Sequence, residues 1–184
     1  MHKSTLTTLL FILSATYTIT AQKKDVSFLF AGDAMQHQSQ INTAKKGGEF
    51  DYSTYFEKIK EKITTADIAV VNLEVTLAGK PYTGYPQFSA PDEFAVALKD
   101  AGFDIFLTAN NHCLDRRKKG LERTITVLDS LKVLHSGTFA DSTKRELYYP
   151  LMMRKNGIRI AMLNYTYDTN GTKVTAPNIV NLID

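Results

Sequence analysis

The feature that most constrains the fold is an alternation of short apolar segments with longer segments of helical periodicity. Apolar runs at residues 26–31, 68–73 and 104–109 have the length and composition of buried strands. Each is followed along the chain by a segment whose apolar residues recur at helical spacing. Strands that alternate with helices pair in parallel, because the helix returns the chain to the same end of the sheet. The sequence therefore predicts a layered α/β fold.

The remaining elements follow from the same patterns. We predict helices over residues 52–64, 90–101 and 116–131, a strand over 133–135, and hairpin strands over 148–153 and 158–164. Gly102 ends the second helix, and Asn156-Gly157 is a strong signal for a hairpin turn. Residues 75–88 contain Gly and Pro residues that predict an irregular loop. With no internal repeat, residues 26–184 are predicted to form one domain.

The N-terminal residues 1–21 have the pattern of a secretory signal. A short positive start precedes a mostly apolar stretch at residues 6–19, and Ala21 is a small residue before a plausible cleavage point. A transmembrane anchor is the alternative, but the stretch is interrupted by hydroxyl residues and is shorter than the ~20 apolar residues that a span needs. Cys113 is the only cysteine, so no intramolecular disulfide can form. We expect an exported protein of the periplasm or outer cell envelope.

Composition excludes one large class of partners. Hydrophobic residues make up 43% of the 184 residues and charged residues 22%, which is ordinary for a globular protein. The formal charge is only +3, and the basic residues are scattered rather than grouped on one stripe. Nucleic-acid binding is therefore not expected.

Polar residues with metal-ligand chemistry follow the predicted strands. Asp33 follows the first strand, Glu74 the second, and Asn111 with His112 the third. In open α/β sheets, ligands bind outside the carboxyl ends of the strands. Carboxylate, amide and imidazole groups together suit Mn²⁺, Fe²⁺, Zn²⁺ or Mg²⁺. Singly, each residue has a simpler explanation, since Asp begins turns, Glu sits in solvated loops and Asn caps helices.

Four further residues are candidates for supporting roles. His37 could be a ligand, a substrate contact or an exposed loop histidine, and Asp115 could orient His112 or cap the next helix. Asn164 and Tyr165 stand at the end of the last predicted strand, where they could support a ligand or contact the substrate. Tyr165 could line a substrate groove, although a buried aromatic residue is the simpler interpretation. A nucleophilic pair of Cys113 and His112 is disfavoured, because sequence neighbours rarely point at each other.

Five stretches of the chain resemble the bacterial capsule synthesis proteins of the CapA type, also called poly-γ-glutamate capsule proteins. They are FAGDAMQH (30–37), VVNLEVTLAG (70–79), FSAPDEFAVALKDAGFDIFLTANNHCLD (88–115), GLERTITVLDSL (120–131) and IRIAMLNYTY (158–167). The block from Ala101-Gly102-Phe103-Asp104 to Asp115 is long and specific.

The resemblance implies a fold similar to the calcineurin-like metallophosphoesterases, a layered β-sandwich flanked by helices (αββα). It implies Asp33, Glu74 and Asn111 as metal ligands, a pair of divalent ions in complete members, and a catalytic His112 beside the reacting phosphate. It also implies an envelope role with an anionic capsule polymer (poly-γ-glutamate or polysaccharide) or a phosphoester as substrate, and capsule-assembly proteins as partners.

The chain departs from the family pattern in its later part. Family members continue with further histidine motifs, whereas here the only histidines are His2, His37, His112 and His135. We therefore expect an N-terminal part of the fold, incomplete at the C-terminus. The alternatives to an enzyme are a non-catalytic polymer-binding or assembly protein and an inactive truncated fragment.

Overall fold

The computed structural model describes residues 24–183, so the predicted signal segment at residues 1–21 lies outside the described residues. The described residues form a mixed α/β structure in this order: β1 (Phe28–Ala34), α1 (Gln38–Ala44), β2 (Lys45–Lys46), β3 (Glu49–Phe50), α2 (Glu57–Thr64), β4 (Ile68–Leu73), α3 (Asp92–Ala101), β5 (Ile105–Leu107), α4 (Arg117–Leu131), β6 (Leu134–Ser136), β7 (Thr138–Phe139), α5 (Ser142–Tyr148), β8 (Leu151–Lys155), β9 (Ile158–Met162) and β10 (Ile179–Val180).

A four-stranded parallel sheet organises the fold. Its strand order is β1-β4-β5-β6, and every pair in it is parallel. The chain passes from each of these strands to the next through helical segments, which is the topology that the alternating pattern predicts. All four strands therefore end at the same edge of the sheet, and the predicted site residues follow or occupy these ends.

One face of the sheet packs against helices. Ala69, Val71 and Leu73 of β4 and Phe106 of β5 share a buried cluster with residues of α2, α3 and α4. Burying a large apolar side chain of this kind stabilises the fold by roughly 1.5–3 kcal/mol. The α3 helix ends where predicted, because Gly102 adopts a left-handed conformation (φ 108°) that other residues rarely accept.

The other face of the sheet packs against the hairpin β8–β9. Ile68, Val70 and Ile105 are buried there against apolar side chains of the hairpin, including Met153 and Ile160. The alternation along β4 thus directs successive residues to the helices and to the hairpin. Asn156 and Gly157 make the predicted hairpin turn, both with positive φ (49° and 79°).

The prediction of a buried first strand was wrong. Most of β1 is exposed, and Phe30 retains 62% of its accessible surface. The physical reason is that β1 lies at the edge of the sheet, while the hairpin covers the central strands β4 and β5. An apolar run shows that a strand can be buried but not that a neighbouring layer reaches it.

Other differences concern the lengths of elements. The helix predicted from residue 52 begins at Glu57, since residues 53–55 form a turn before it, and β5 is shorter than the predicted 104–109. The short elements α1, α5, β2, β3, β7 and β10 were not predicted. Between residues 24 and 183, none of the helices has both the length and the apolarity required to cross a bilayer.

Candidate functional site

Asp33 reaches the site through an irregularity in β1. The pairing of β1 with β4 shifts between Phe30 and Asp33, and Gly32 between them has φ +78°. Glycine accepts this conformation without a steric cost, whereas a residue with a Cβ would be strained. Asp33 consequently lies within the strand rather than after it, directly beside Asn72 of β4.

The amide of Asn72 joins the two predicted metal-binding carboxylates. Its Nδ2 donates to Asp33 Oδ1 at 2.8 Å and to Glu74 Oε2 at 3.2 Å. Its Oδ1 accepts from Nδ2 of Asn110 at 3.0 Å, and the same nitrogen donates to the carbonyl of Leu73 at 2.9 Å. Asn72 therefore ties β1, β4 and the loop after β5 into one polar cluster.

The environment of Glu74 disfavours its negative charge. The residue is 9% exposed. Burial, followed by the hydrogen bond and charge of Asp33, raises the pKa of Glu74 to about 7 from an ordinary 4.5. His112 opposes this shift and Asp115 adds to it, so both lie within electrostatic range of Glu74. Two carboxylates this close together attract either a proton or a cation.

His112 is oriented by Asp115. The Nδ1 atom of His112 lies 2.8 Å from Oδ2 of Asp115, and the backbone N–H of Phe88 donates to that same oxygen at 2.7 Å. The carboxyl group of Asp115 and the imidazole of His112 are both buried. Burial raises the pKa of Asp115, while the hydrogen bonds from Phe88 and His112 oppose the rise. Of the two predicted roles for Asp115, the contact with His112 is the one observed.

Two rings and two amides complete the surroundings of His112. Phe88 packs edge to face against His112 and also against His37, with ring centroids 4.7 and 5.3 Å apart. His37 is exposed and lies at the start of α1, where its backbone N–H donates to Oε1 of Gln40. Nδ2 of Asn111 donates to Oδ1 of Asn170 at 3.3 Å, and Nδ2 of Asn170 lies 3.4 Å from Nδ1 of His112. These contacts bring the loop around residue 170 to the site.

Asn164 positions the site loop, and Tyr165 lies apart from the cluster. Oδ1 of Asn164 accepts from the backbone N–H groups of Thr108 and Ala109 at 3.1 and 2.7 Å. Its Nδ2 donates to the carbonyl of Ala109. These bonds use the amide to hold the segment that leads to Asn110. The ring of Tyr165 instead packs on Tyr149, at 5.8 Å between centroids.

Cys113 has no nucleophilic character in this environment. It is 7% exposed, and burial raises the pKa of its thiol to about 12. The thiol is therefore protonated at neutral pH, which agrees with the rejection of a nucleophilic pair with His112.

The cluster falls short of a full set of metal ligands. Within residues 24–183, no three His, Cys, Asp or Glu side chains converge closely enough to hold a metal ion together. The structure does bring together Asp33 with Glu74, through the amide of Asn72, and His112 with Asp115. Asn110 joins the two pairs, because its Nδ2 donates to Asn72 and its Oδ1 accepts from the backbone N–H of His112. The sequence did not single out Asn72, Asn110 or Phe88 as site residues. The available signals were the polar Asn72 within the apolar run of β4 and the polar Asn110 directly after the third predicted strand.

Comparison with known proteins identifies the family. Residues 27–181 match the family described as bacterial capsule synthesis protein PGA_cap. The chain is similar to the capsule biosynthesis protein CapA of Bacillus anthracis, with 32% identity over 78 residues, 42% of this chain and 18% of CapA. It is also 31% identical over 90 residues to the uncharacterized proteins y4sH and y4uA of Sinorhizobium fredii, covering 45% of this chain and 20% of each relative. The matched segment thus spans about a fifth of these curated relatives.

Proposed function

Because the chain belongs to the bacterial capsule synthesis protein family PGA_cap, we propose that it acts in capsule synthesis at the cell envelope through a metal-dependent, phosphoesterase-like site. Membership of the family relates the chain to capsule synthesis. The reaction, the metal, the substrate and the location are the proposed parts.

One observation supports the metal above all others. The carboxylates of Asp33 and Glu74 share a single amide donor, and the pKa of Glu74 is raised to about 7 by burial and by Asp33. Bringing two carboxylates together costs free energy unless a cation or a proton offsets their repulsion. The donor chemistry therefore fits a divalent ion held by Asp33 and Glu74. We propose the amide of Asn111, the residue before His112, as a third ligand. Mn²⁺, Fe²⁺, Zn²⁺ and Mg²⁺ all accept such ligands, singly or as a pair of ions.

His112 would move the proton in this reaction. A bound divalent metal would supply Lewis acidity toward a phosphoryl oxygen and a more acidic water. Because Nδ1 of His112 is engaged with Asp115, Nε2 is the ring atom that remains to exchange a proton with a leaving oxygen. Asp115 orients the ring through its contact with Nδ1, and Phe88 restrains the plane of the ring.

The substrate and setting follow from the family and the sequence. We propose a phosphoester or an anionic capsule polymer, poly-γ-glutamate or polysaccharide, as substrate, and capsule-assembly proteins as partners. The signal pattern at residues 1–21 supports export to the periplasm or outer cell envelope. The parallel sheet lies between a layer of helices and the β8–β9 hairpin. This order of layers supports a metallophosphoesterase-like αββα arrangement.

A non-catalytic polymer-binding or assembly protein is the second candidate. It is favoured by the observation that, among residues 24–183, no three acidic, His or Cys side chains converge on a metal position. A protein of this kind would keep the fold and the polar cluster for binding alone.

Metal binding and turnover separate the two candidates. We would measure Mn²⁺ binding by calorimetry and hydrolysis of p-nitrophenyl phosphate for the wild-type protein, Asp33→Asn, His112→Asn and the exposed control Glu146→Gln. The phosphoesterase proposal expects Asp33→Asn to lose both properties. It expects His112→Asn to bind Mn²⁺ normally and to turn over about 10²–10⁴ times more slowly, and Glu146→Gln to match wild type.

Two results would count against the proposal. Hydrolysis that persists in Asp33→Asn would arise elsewhere or from a contaminant. Binding of polyglutamate without Mn²⁺ binding or hydrolysis in the wild-type protein would favour the non-catalytic candidate.

A further inference from the structure

A groove between α2 and α3 lies outside the strand-end site. Its volume is about 410 Å³. The two helices meet near their first turns, where Phe56 packs against Phe94, and near their last turns, where Gly102 faces Thr64. They therefore run side by side in the same direction, and the groove follows them. None of the residues that line it belongs to the cluster of Asp33, Glu74 and His112.

Aromatic side chains form one wall of this groove. Phe50, Tyr52 and Phe56 line it, and all three rings pack against other aromatic rings. Tyr52 lies 5.4 Å from the ring of Phe94 and donates its hydroxyl hydrogen to Oε1 of Gln36 at 2.7 Å. Tyr52 is buried behind this wall, whereas the half-buried rings of Phe50 and Phe56 can receive a cation on their faces without losing further side-chain freedom.

Acidic side chains form the rest of the lining. Glu57, Glu93 and Asp100 line the groove, and no ion pair engages them in the described part of the chain. Asp51 also lines it but is paired with Lys46 at 2.8 Å. Lys60 is the single basic residue of the lining. The groove is therefore locally acidic on a chain whose formal charge is +3.

Helix stability explains two of these acids but not the third. Glu57 and Glu93 lie in the first turns of α2 and α3, where a negative charge interacts favourably with the helix dipole. Asp100 lies in the last turn of α3, where the same interaction is unfavourable. An acid at such a position costs stability by itself, so a cationic ligand gives it a physical role.

We propose that this groove binds a basic segment of a partner protein, with a lysine or arginine side chain against Phe50 and Phe56. Glu93 and Asp100 are seven residues apart, which is about 10 Å along a helix. One small cation cannot contact both ends of that span, whereas an extended basic segment can. The anionic polymer proposed for the strand-end site would be repelled here. The two proposals therefore stand or fall separately.

The test measures binding of a fluorescein-labelled peptide of alternating lysine and glycine to the protein by fluorescence anisotropy at low salt. Neutralising two acids of the groove, with Glu93→Gln and Asp100→Asn combined, is expected to weaken binding about tenfold. The matched control combines Glu61→Gln and Glu146→Gln, which remove the same charge from exposed positions outside the groove. We expect less than about a twofold change for this control.

A second variant tests the aromatic wall. Phe56→Leu keeps an apolar side chain of similar size, and we expect about threefold weaker binding from the lost contact between cation and ring. Equal losses in the groove and control double variants would overturn the proposal, since they indicate general charge attraction. Displacement of the peptide by spermidine at a lower concentration than by unlabelled peptide would also overturn it, in favour of a free polyamine. Circular dichroism melts confirm that each variant is folded.

Discussion

Replacing Glu74 with glutamine is expected to stabilise the metal-free protein at pH 8 while removing its response to divalent metal. The substitution keeps an oxygen that can accept from Nδ2 of Asn72 and removes the charge that repels Asp33. The wild-type protein must ionise Glu74 at this pH in an environment that raises its pKa to about 7. The variant has no such requirement.

The magnitude follows from the pKa in the two states. A carboxyl with a pKa of about 7 when folded and 4.5 when unfolded binds more protons in the folded state between those values. Its stabilising contribution is complete below pH 4.5 and is lost as pH rises through 7. At about 1.36 kcal/mol per pH unit the full loss is about 3 kcal/mol, which solvent screening at the edge of the sheet reduces to about 1–2 kcal/mol. For a domain of this size, that corresponds to about 3–6 °C in melting temperature.

Urea unfolding monitored by circular dichroism, in EDTA, checks this expectation. Glu74→Gln and wild type should have equal stability below pH 4.5, and the variant should gain about 1–2 kcal/mol by pH 8. Addition of Mn²⁺ should stabilise the wild-type protein and leave the variant unchanged. The control Glu146→Gln, on the exposed surface of α5, should follow wild type throughout. A variant that is less stable than wild type at pH 8, or a difference that does not change with pH, would refute the reasoning.

Three further predictions concern Asp115, Gly102 and Cys113. Asp115→Asn removes the charged acceptor for His112, so we expect turnover to fall about 10–100-fold with little change in Mn²⁺ binding. Steady-state kinetics and calorimetry measure these two quantities, and unchanged turnover would contradict the positioning role. Gly102→Ala places a Cβ 2.7 Å from Cγ2 of Thr64 at φ +108°, and we expect a loss of about 1–2 kcal/mol in urea unfolding; an unchanged midpoint would show that the helix end is free to shift. Burial raises the pKa of the Cys113 thiol to about 12 from 9.0, so the stability of the folded protein should decline between pH 9 and 12. A thiol reagent at pH 8 should react with Cys113 only after unfolding, and rapid reaction of the folded protein would contradict this.

Local patterns predicted the elements whose form depends on neighbouring residues in the chain. The limits of β4, the end of α3 at Gly102 and the turn at Asn156-Gly157 were all correct. Each is decided by side-chain alternation or by a backbone conformation that few residue types accept. The exposure of β1 could not be predicted in this way, because it depends on where a hairpin more than a hundred residues later comes to rest.

In the candidate site, too, some features follow from the local sequence and others only from long-range contacts. The sequence by itself determined the parallel topology, and with it the arrival of Asp33, Glu74, Asn111 and His112 at one edge of the sheet. Only the tertiary structure decided which atoms meet: the Asn72 amide between the two carboxylates, Asp115 on His112, and Tyr165 packed elsewhere. The physical reason is that periodicity reports which face of an element is apolar, whereas a hydrogen bond between residues 39 positions apart depends on strand register and on a bulge at Gly32. Burial of Glu74 and its proximity to Asp33 raise the pKa of Glu74, and neither cause can be read from the local sequence.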